Sequence, residues 1–317
     1  MITVYIEAGR ISIRPAFLPL RPPGFALIRL LAGGICNTDL ELQRGYYGFS
    51  GVPGHEFVGE VVETDSPGLI GKRVVGEINL ACGTCSWCNR GLGRHCPKRS
   101  VLGIVRHPGA FSEFFTLPEA NLHLVPDSVS TEAAVFTEPL AAACEILDQV
   151  AIPQGGEVAV LGDGKLGLLI AQVLQVSGCQ VHQFGRHREK LRIAERAGVT
   201  TEIAGPSLPH AAFEWVVDAT GSAEGLRAAI RMVQPRGTVI MKSTVHGDVA
   251  LDTAAVIVNE ITLVGSRCGR FQPALELLRL GVIDVTLMIA DRFPLDKAPA
   301  AFERAAQKGV LKVLLQG

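Results

Sequence analysis

The sequence predicts an α/β protein, a doubly wound parallel sheet joined to a second, mainly-β lobe. Two patterns carry this. From residue 157 onward, apolar runs of strand length alternate with helical stretches, the order that builds a parallel sheet. From residue 1 to about 125, short β-like runs (11–13, 25–31, 56–64, 73–76 and 110–117) are separated by Gly, Pro and Asp, which reads as a small irregular barrel or sandwich. Between the two, residues 131–150 read as one or two helices capped by Ser130 or Thr131.

The second half is organised around residues 157–188. The apolar run 158–161 leads into Gly162-Asp163-Gly164-Lys165-Leu166-Gly167, a GxGxxG turn, and 168–176 continues as an apolar helix that Gly178 stops. A second strand follows at 180–184. Strand before and helix after are the context in which these glycines serve a pyrophosphate: a tight turn, a close backbone approach, and close packing of helix on strand. The free N–H groups of the helix start then face the phosphates. Beyond this unit a helix at 188–197, strands at 215–218, 237–242 and 261–264, and a helix at 223–232 complete the sheet, while 272–281 and 299–308 read as helices and 310–315 as a strand returning to the first lobe.

Composition narrows the class. The chain has 317 residues, 48% of them apolar and 19% charged, enough for sizeable cores in two domains. A formal net charge of −1 provides no electrostatic footprint for nucleic acid or an anionic membrane surface. The first ten residues carry charge and pass directly into a strand pattern, unlike a secretory signal, and no apolar run reaches the roughly 18 to 20 residues of a membrane span. A cytoplasmic location is the expectation.

Four of the eight cysteines, Cys82, Cys85, Cys88 and Cys96, fall within one short loop as CxxCxxC followed by a seven-residue gap. In a chain of this length, that spacing points to a metal rather than to disulfides. Four thiolates close a tetrahedral zinc shell and leave no position for water or substrate, so the role expected is structural. Cys36, the pair His55-Glu56, and Glu138 form a looser set. Singly, each has an ordinary reading, a core cysteine or a helix-start glutamate among them.

Taken together, these segments resemble the zinc-dependent medium-chain dehydrogenases of the alcohol and polyol type. The segments 33–39 around Cys36, 53–59 around His55, the four-cysteine loop, Thr137-Glu138-Pro139 and the GxGxxG turn stand in the order seen in that family. The resemblance implies a GroES-like catalytic domain over residues 1–140, carrying the structural-zinc loop and completed by 270–317, and a Rossmann nucleotide-binding domain over 141–269. It implies two zinc ions per chain. The catalytic one would be held by Cys36, His55 and a carboxylate, with an open position for the substrate oxygen. Glu138 stands where the alcohol branch has a cysteine, and Glu56 is either a direct ligand or a group that exchanges with it. Thr38 matches the family's proton-relaying hydroxyl, but three residues later Glu41 stands where a histidine continues the relay in the alcohol branch.

The same resemblance places the adenosine ribose at the end of the second strand, where an acid favours NAD and arginine favours the extra phosphate of NADP. Here Gly185 occupies the position of the acid and Arg186, His187 and Arg188 follow, so nothing negative opposes a phosphate and NADP is expected over NAD. Asp218, Ala219 and Thr220, with Val264, Gly265 and Ser266 near the nicotinamide, are further contacts by resemblance.

The function expected is hydride transfer between NAD(P) and an alcohol, polyol or sugar hydroxyl, or the matching carbonyl, by a homodimer or homotetramer that engages neither nucleic acid nor membrane. Tyr46, Tyr47 and Phe49 are candidates for lining the substrate site. Two alternatives remain open, a zinc-free quinone or enoyl reductase of the same fold and a non-catalytic NAD(P)-binding redox sensor.

Overall fold

A computed structural model describes residues 1–245 and 248–317, which divide into two compact units. The first comprises Met1–Glu138, Phe271–Arg279 and Val285–Gly317, and the second Pro139–Arg270 and Leu280–Asp284. Among the described residues no helix is long and apolar enough to cross a membrane.

The first unit is built on a mixed sheet whose central strand is Phe25–Gly34. Glu56–Glu63 pairs antiparallel on one side and Lys312–Gln316 on the other, so Gly34 faces Glu56 across one ladder and Leu314 across the other. Ile28, Val61, Leu117 and Leu314 are fully buried on this sheet, and Phe111 meets Phe302 edge to face at 6.1 Å. The expected strand over 110–117 is shorter, Phe114–Pro118. Its first residues are diverted: the N–H groups of Ala110 and Phe111 donate to Gly54 and Pro53, which anchors the loop that carries His55.

The helical stretch after residue 130 divides in two. Ser130 caps Thr131–Ala134 by accepting the Ala133 N–H, and a new helix starts at Thr137, whose hydroxyl donates to the Ala134 carbonyl. Pro139 lies in the first turn of that helix, Thr137–Gln149, where the missing N–H costs nothing.

The second unit carries a six-stranded parallel sheet in the order Thr200–Ile203, Gln180–Gly185, Glu157–Leu161, Phe213–Asp218, Val233–Met241 and Thr262–Gly265. Its central strands are apolar on both faces, with Ala159, Val160, Val216, Val217, Val239 and Ile240 all fully buried. The sequence does not mark Thr200–Ile203, because an outer strand of two threonines, a glutamate and an isoleucine carries no hydrophobic signature. The strand order reverses between Glu157–Leu161 and Phe213–Asp218, and such a switch point opens a crevice at the carboxyl ends of the strands.

Candidate functional site

Three sites emerge, two in the first unit and one in the second. In the first, the turn that follows the central strand places Cys36 immediately ahead of the helix Asn37–Gln43. Asp39, fully buried in the first turn of that helix, accepts the N–H of Cys36 at 2.9 Å and of Gly54 at 3.2 Å. One carboxylate thus ties the Cys36 turn to the His55 loop. Ligand atoms of Cys36, His55 and Glu56 lie within 4.8 Å of one another.

His55 is buried, and its Nδ1 stands 3.4 Å from the Asp39 carboxylate. That is too long for a well-formed hydrogen bond, and Nδ1 is otherwise without a partner, so the contact is one of charge. Burial works to depress the imidazole, but Asp39 and the Cys36 thiol outweigh it and raise it well above its ordinary value. A buried imidazole flanked by a carboxylate and a thiol, with Nδ1 turned to Asp39, leaves Nε2 for an ion, the arrangement in which an outer carboxylate orients a metal-binding histidine. The donor set of sulfur, nitrogen and carboxylate oxygen fits zinc.

Glu56 has a partner that inspection of the sequence missed. The Lys312 ammonium, from the last strand, forms an ion pair with Oε2 of Glu56, and both side chains are 1% exposed. Phe136 lies 5.6 Å from the same ammonium. A single lysine inside an otherwise apolar strand was the available signal. Glu138 does not join the group formed by Cys36, His55 and Glu56 among the described residues. The Thr38 hydroxyl lies 3.8 Å from the Cys36 sulfur, and Glu41 is paired with Arg44 at 2.6 Å. Tyr46 and Tyr47 stack at 4.0 Å, with Tyr47 largely exposed.

The four-cysteine loop has the geometry its spacing implies. Sulfur separations are 3.5 Å for Cys82–Cys96 and Cys85–Cys88, 3.7 Å for Cys85–Cys96 and 3.9 Å for Cys82–Cys88. A tetrahedron with zinc–sulfur bonds of about 2.3 Å has edges of about 3.8 Å, so the sulfurs stand at the corners that a zinc ion requires. Backbone N–H groups of Thr84 and Cys85 aimed at Cys82 bring its thiol down to about 6, whereas burial and the Cys85 thiol push Cys88 up to about 11.

In the second unit a cavity of about 820 Å³ opens at the carboxyl ends of the strands, lined among others by Gly162, Asp163, Gly185, Arg186, His187 and Thr220. Gly162 adopts φ 113° at the strand exit, which only glycine takes without strain, and Gly164 precedes the helix Lys165–Val176, in which Leu166 and Gly167 occupy the first turn. Asp218 accepts the N–H and the hydroxyl of Thr220 at 3.0 and 2.7 Å, burial raising its carboxyl, and Ala219 donates to Leu161. Val264, Gly265 and Ser266 do not line this cavity. Their loop is fastened by Lys242, whose ammonium donates to the Ser266 hydroxyl at 3.0 Å and the Arg267 carbonyl at 2.8 Å.

The end of the cavity beside Gly185, where the resemblance puts the adenosine ribose, departs from expectation in two respects. A carboxylate is present there after all, because Asp163 turns toward Gly185 and accepts the N–H groups of Arg186 and His187. The sequence marks Asp163 as a cofactor contact of the glycine turn, and the reach of its side chain to the next strand depends on tertiary packing. Arg188 is turned away, paired with Glu195 at 2.9 Å, so of the two arginines in this segment only Arg186 lines the cavity.

Comparison with known proteins identifies the family. Residues 22–127 match the alcohol dehydrogenase GroES-like domain, and residues 166–280 match the zinc-binding dehydrogenase family. The chain belongs to the zinc-binding dehydrogenases. This dehydrogenase is 30% identical to the D-altritol 5-dehydrogenase of Agrobacterium fabrum, over 98% of its own length and 97% of the relative's. It is 32% identical to an L-threonine 3-dehydrogenase of Streptomyces avermitilis, over 92% of each chain. A zinc-binding dehydrogenase from Sinorhizobium meliloti 1021 solved with NADP superposes with a TM-score of 0.90 at 30% identity, covering 100% of this chain and 99% of that one. As a member of this family the protein is an oxidoreductase, transferring hydride between an alcohol-type hydroxyl and a nicotinamide nucleotide.

Proposed function

We propose that this dehydrogenase oxidises a small polyol or sugar alcohol, or reduces the matching carbonyl, with NADP as the preferred nucleotide and two zinc ions per chain. The observation that carries the catalytic assignment is the convergence of Cys36, His55 and Glu56 on one point. A zinc-free reductase would give that set no task. Zinc held there would supply a Lewis acid to the reacting oxygen. Asp39 orients His55, Lys312 balances the charge of Glu56, and the Thr38 hydroxyl, beside Cys36, accepts and passes on the substrate proton. Glu138 is the alternative carboxylate.

The preference for a polyol rests on the D-altritol 5-dehydrogenase relative. The preference for NADP rests on Arg186 and His187 at the ribose end and on the NADP-bound relative. Thiols grouped for metal fit a reducing cytoplasm, and the exposed Ile257 and Val258, beside the outermost strand Thr262–Gly265, fit a dimer joined across that edge.

The test is a panel of simple alcohols, polyols and aldoses offered with NADP and with NAD, followed by the absorbance of the reduced nucleotide. Turnover is expected with polyols and NADP. Turnover confined to simple alcohols, or faster with NAD at equal concentration, would contradict the corresponding half of the proposal.

A further inference from the structure

Two residues at the ribose end of the nucleotide cavity are linked by a steric exclusion. Asp163 belongs to the glycine turn, yet its side chain crosses to the end of the next strand. Its Oδ2 accepts the N–H groups of Arg186 and His187, both at 2.6 Å, and lies 3.0 Å from the His187 imidazole Nδ1. These charge-assisted contacts fix the short segment from which Arg186 and His187 face the cavity. Gly185 makes this crossing feasible. A β-carbon at residue 185 would stand 2.6 Å from Asp163 Cβ, 2.8 Å from Asp163 Oδ2 and 2.8 Å from Leu191 Cδ2, closer than such atoms approach. A carboxylate can therefore occupy this place from residue 163 or from residue 185, but not from both.

We propose that Asp163 and Gly185 form one specificity pair, in which Asp163 is a positioning residue for recognition of the nucleotide's 2′-phosphate; this rests on the NADP reading above. An acid carried by residue 185 would turn unshared oxygens toward the two ribose hydroxyls. The Asp163 carboxylate instead commits one oxygen to three donors of the protein itself. With Nδ1 bound to that oxygen, His187 has Nε2 left to offer. The Arg186 guanidinium, exposed beside it, forms no ion pair among the described residues. The negative charge is thereby spent on organising a cationic and hydrogen-bonding rim, the chemistry a phosphomonoester needs.

The experiment is calorimetric titration of the intact protein with 2′,5′-ADP and with 5′-AMP, comparing wild type, Asp163→Asn, Gly185→Asp and the exchange Asp163→Gly with Gly185→Asp. Thermal melting verifies that each variant is folded. Asp163→Asn is expected to weaken 2′,5′-ADP by about tenfold, the equivalent of one charge-assisted contact, and to leave 5′-AMP little changed. Gly185→Asp alone should weaken both ligands, because its side chain collides with Asp163. The exchange should bind 5′-AMP the more tightly. If Gly185→Asp alone reverses the preference as fully as the exchange does, or if Asp163→Asn strengthens 2′,5′-ADP, the pair is overturned. A wild type that prefers 5′-AMP defeats the NADP reading instead, and the comparison of single with exchanged variant still decides whether the two residues exclude each other.

Discussion

Lys312 and Glu56, 256 residues apart in sequence, form a buried ion pair beside the Cys36 and His55 ligand atoms. Burial alone would depress the lysine, but Glu56 first, with Cys36 and Asp39, more than offsets it and keeps the amine protonated. Removing one partner of such a pair leaves an uncompensated charge in the interior, at a cost of about 3–5 kcal/mol. Lys312→Met should therefore lower the melting temperature in the presence of a chelator, and added zinc should recover part of the loss by taking up the Glu56 charge. Equal melting of variant and wild type under chelation would show that the pair contributes nothing.

The four-cysteine loop makes a prediction with a definite sign. Cys82 is depressed to about 6 in the folded loop, so its thiolate, and with it the metal shell, is favoured above that value and lost as the pH falls through it. Zinc release to a colorimetric chelator should accelerate from pH 7 to pH 5. Cys85→Ser, which opens the shell, should lower both zinc content and melting temperature. A variant with wild-type values of both would remove the structural role from this loop.

Thr38 offers a hydroxyl beside the Cys36 sulfur that valine cannot replace. Thr38→Val should reduce kcat by about 10²-fold or more, the usual contribution of a placed proton carrier, while Thr38→Ser retains most of the rate. Similar rates in the two variants would show that the proton leaves by another route.

Assembly is read from the sheet edge. Thr262–Gly265 is the outermost strand of the parallel sheet, and the neighbouring short helix Thr253–Val258 exposes Ile257 at 72% and Val258 at 79%. An unpaired edge beside exposed apolar side chains is a template for a second copy, and two-fold dimers are the commonest closed assembly. Light scattering should give at least twice the mass of one chain for wild type and a smaller particle for Leu263→Arg. A monomeric wild type would end the proposal.

Much of this architecture could be read in the sequence because it depends on local rules. The parallel sheet follows from apolar runs and glycine punctuation, and the zinc loop from the spacing of four thiols. What escaped was side-chain reach between distant segments. Lys312 meets Glu56 only because the last strand pairs beside Phe25–Gly34, and the lone lysine in an apolar run marks a buried charge without naming its partner. Asp163 looks like any turn aspartate until the strand holding Gly185 lies alongside it. The strand Thr200–Ile203 was missed for a different reason: it is polar, and burial does not mark it.

On the reading proposed, Cys36 and His55 hold the zinc on which turnover depends, while Cys82, Cys85, Cys88 and Cys96 hold another that turnover does not touch. The decisive measurement is of zinc per chain and nucleotide-linked polyol oxidation on the same samples of wild type and Cys36→Ala. The expected result is about two zinc ions falling to about one, with turnover abolished and melting nearly unchanged, as for a closed structural site left intact beside an emptied catalytic one. Substantial turnover in Cys36→Ala, or an unchanged zinc content, would show that Cys36 does not hold the catalytic ion.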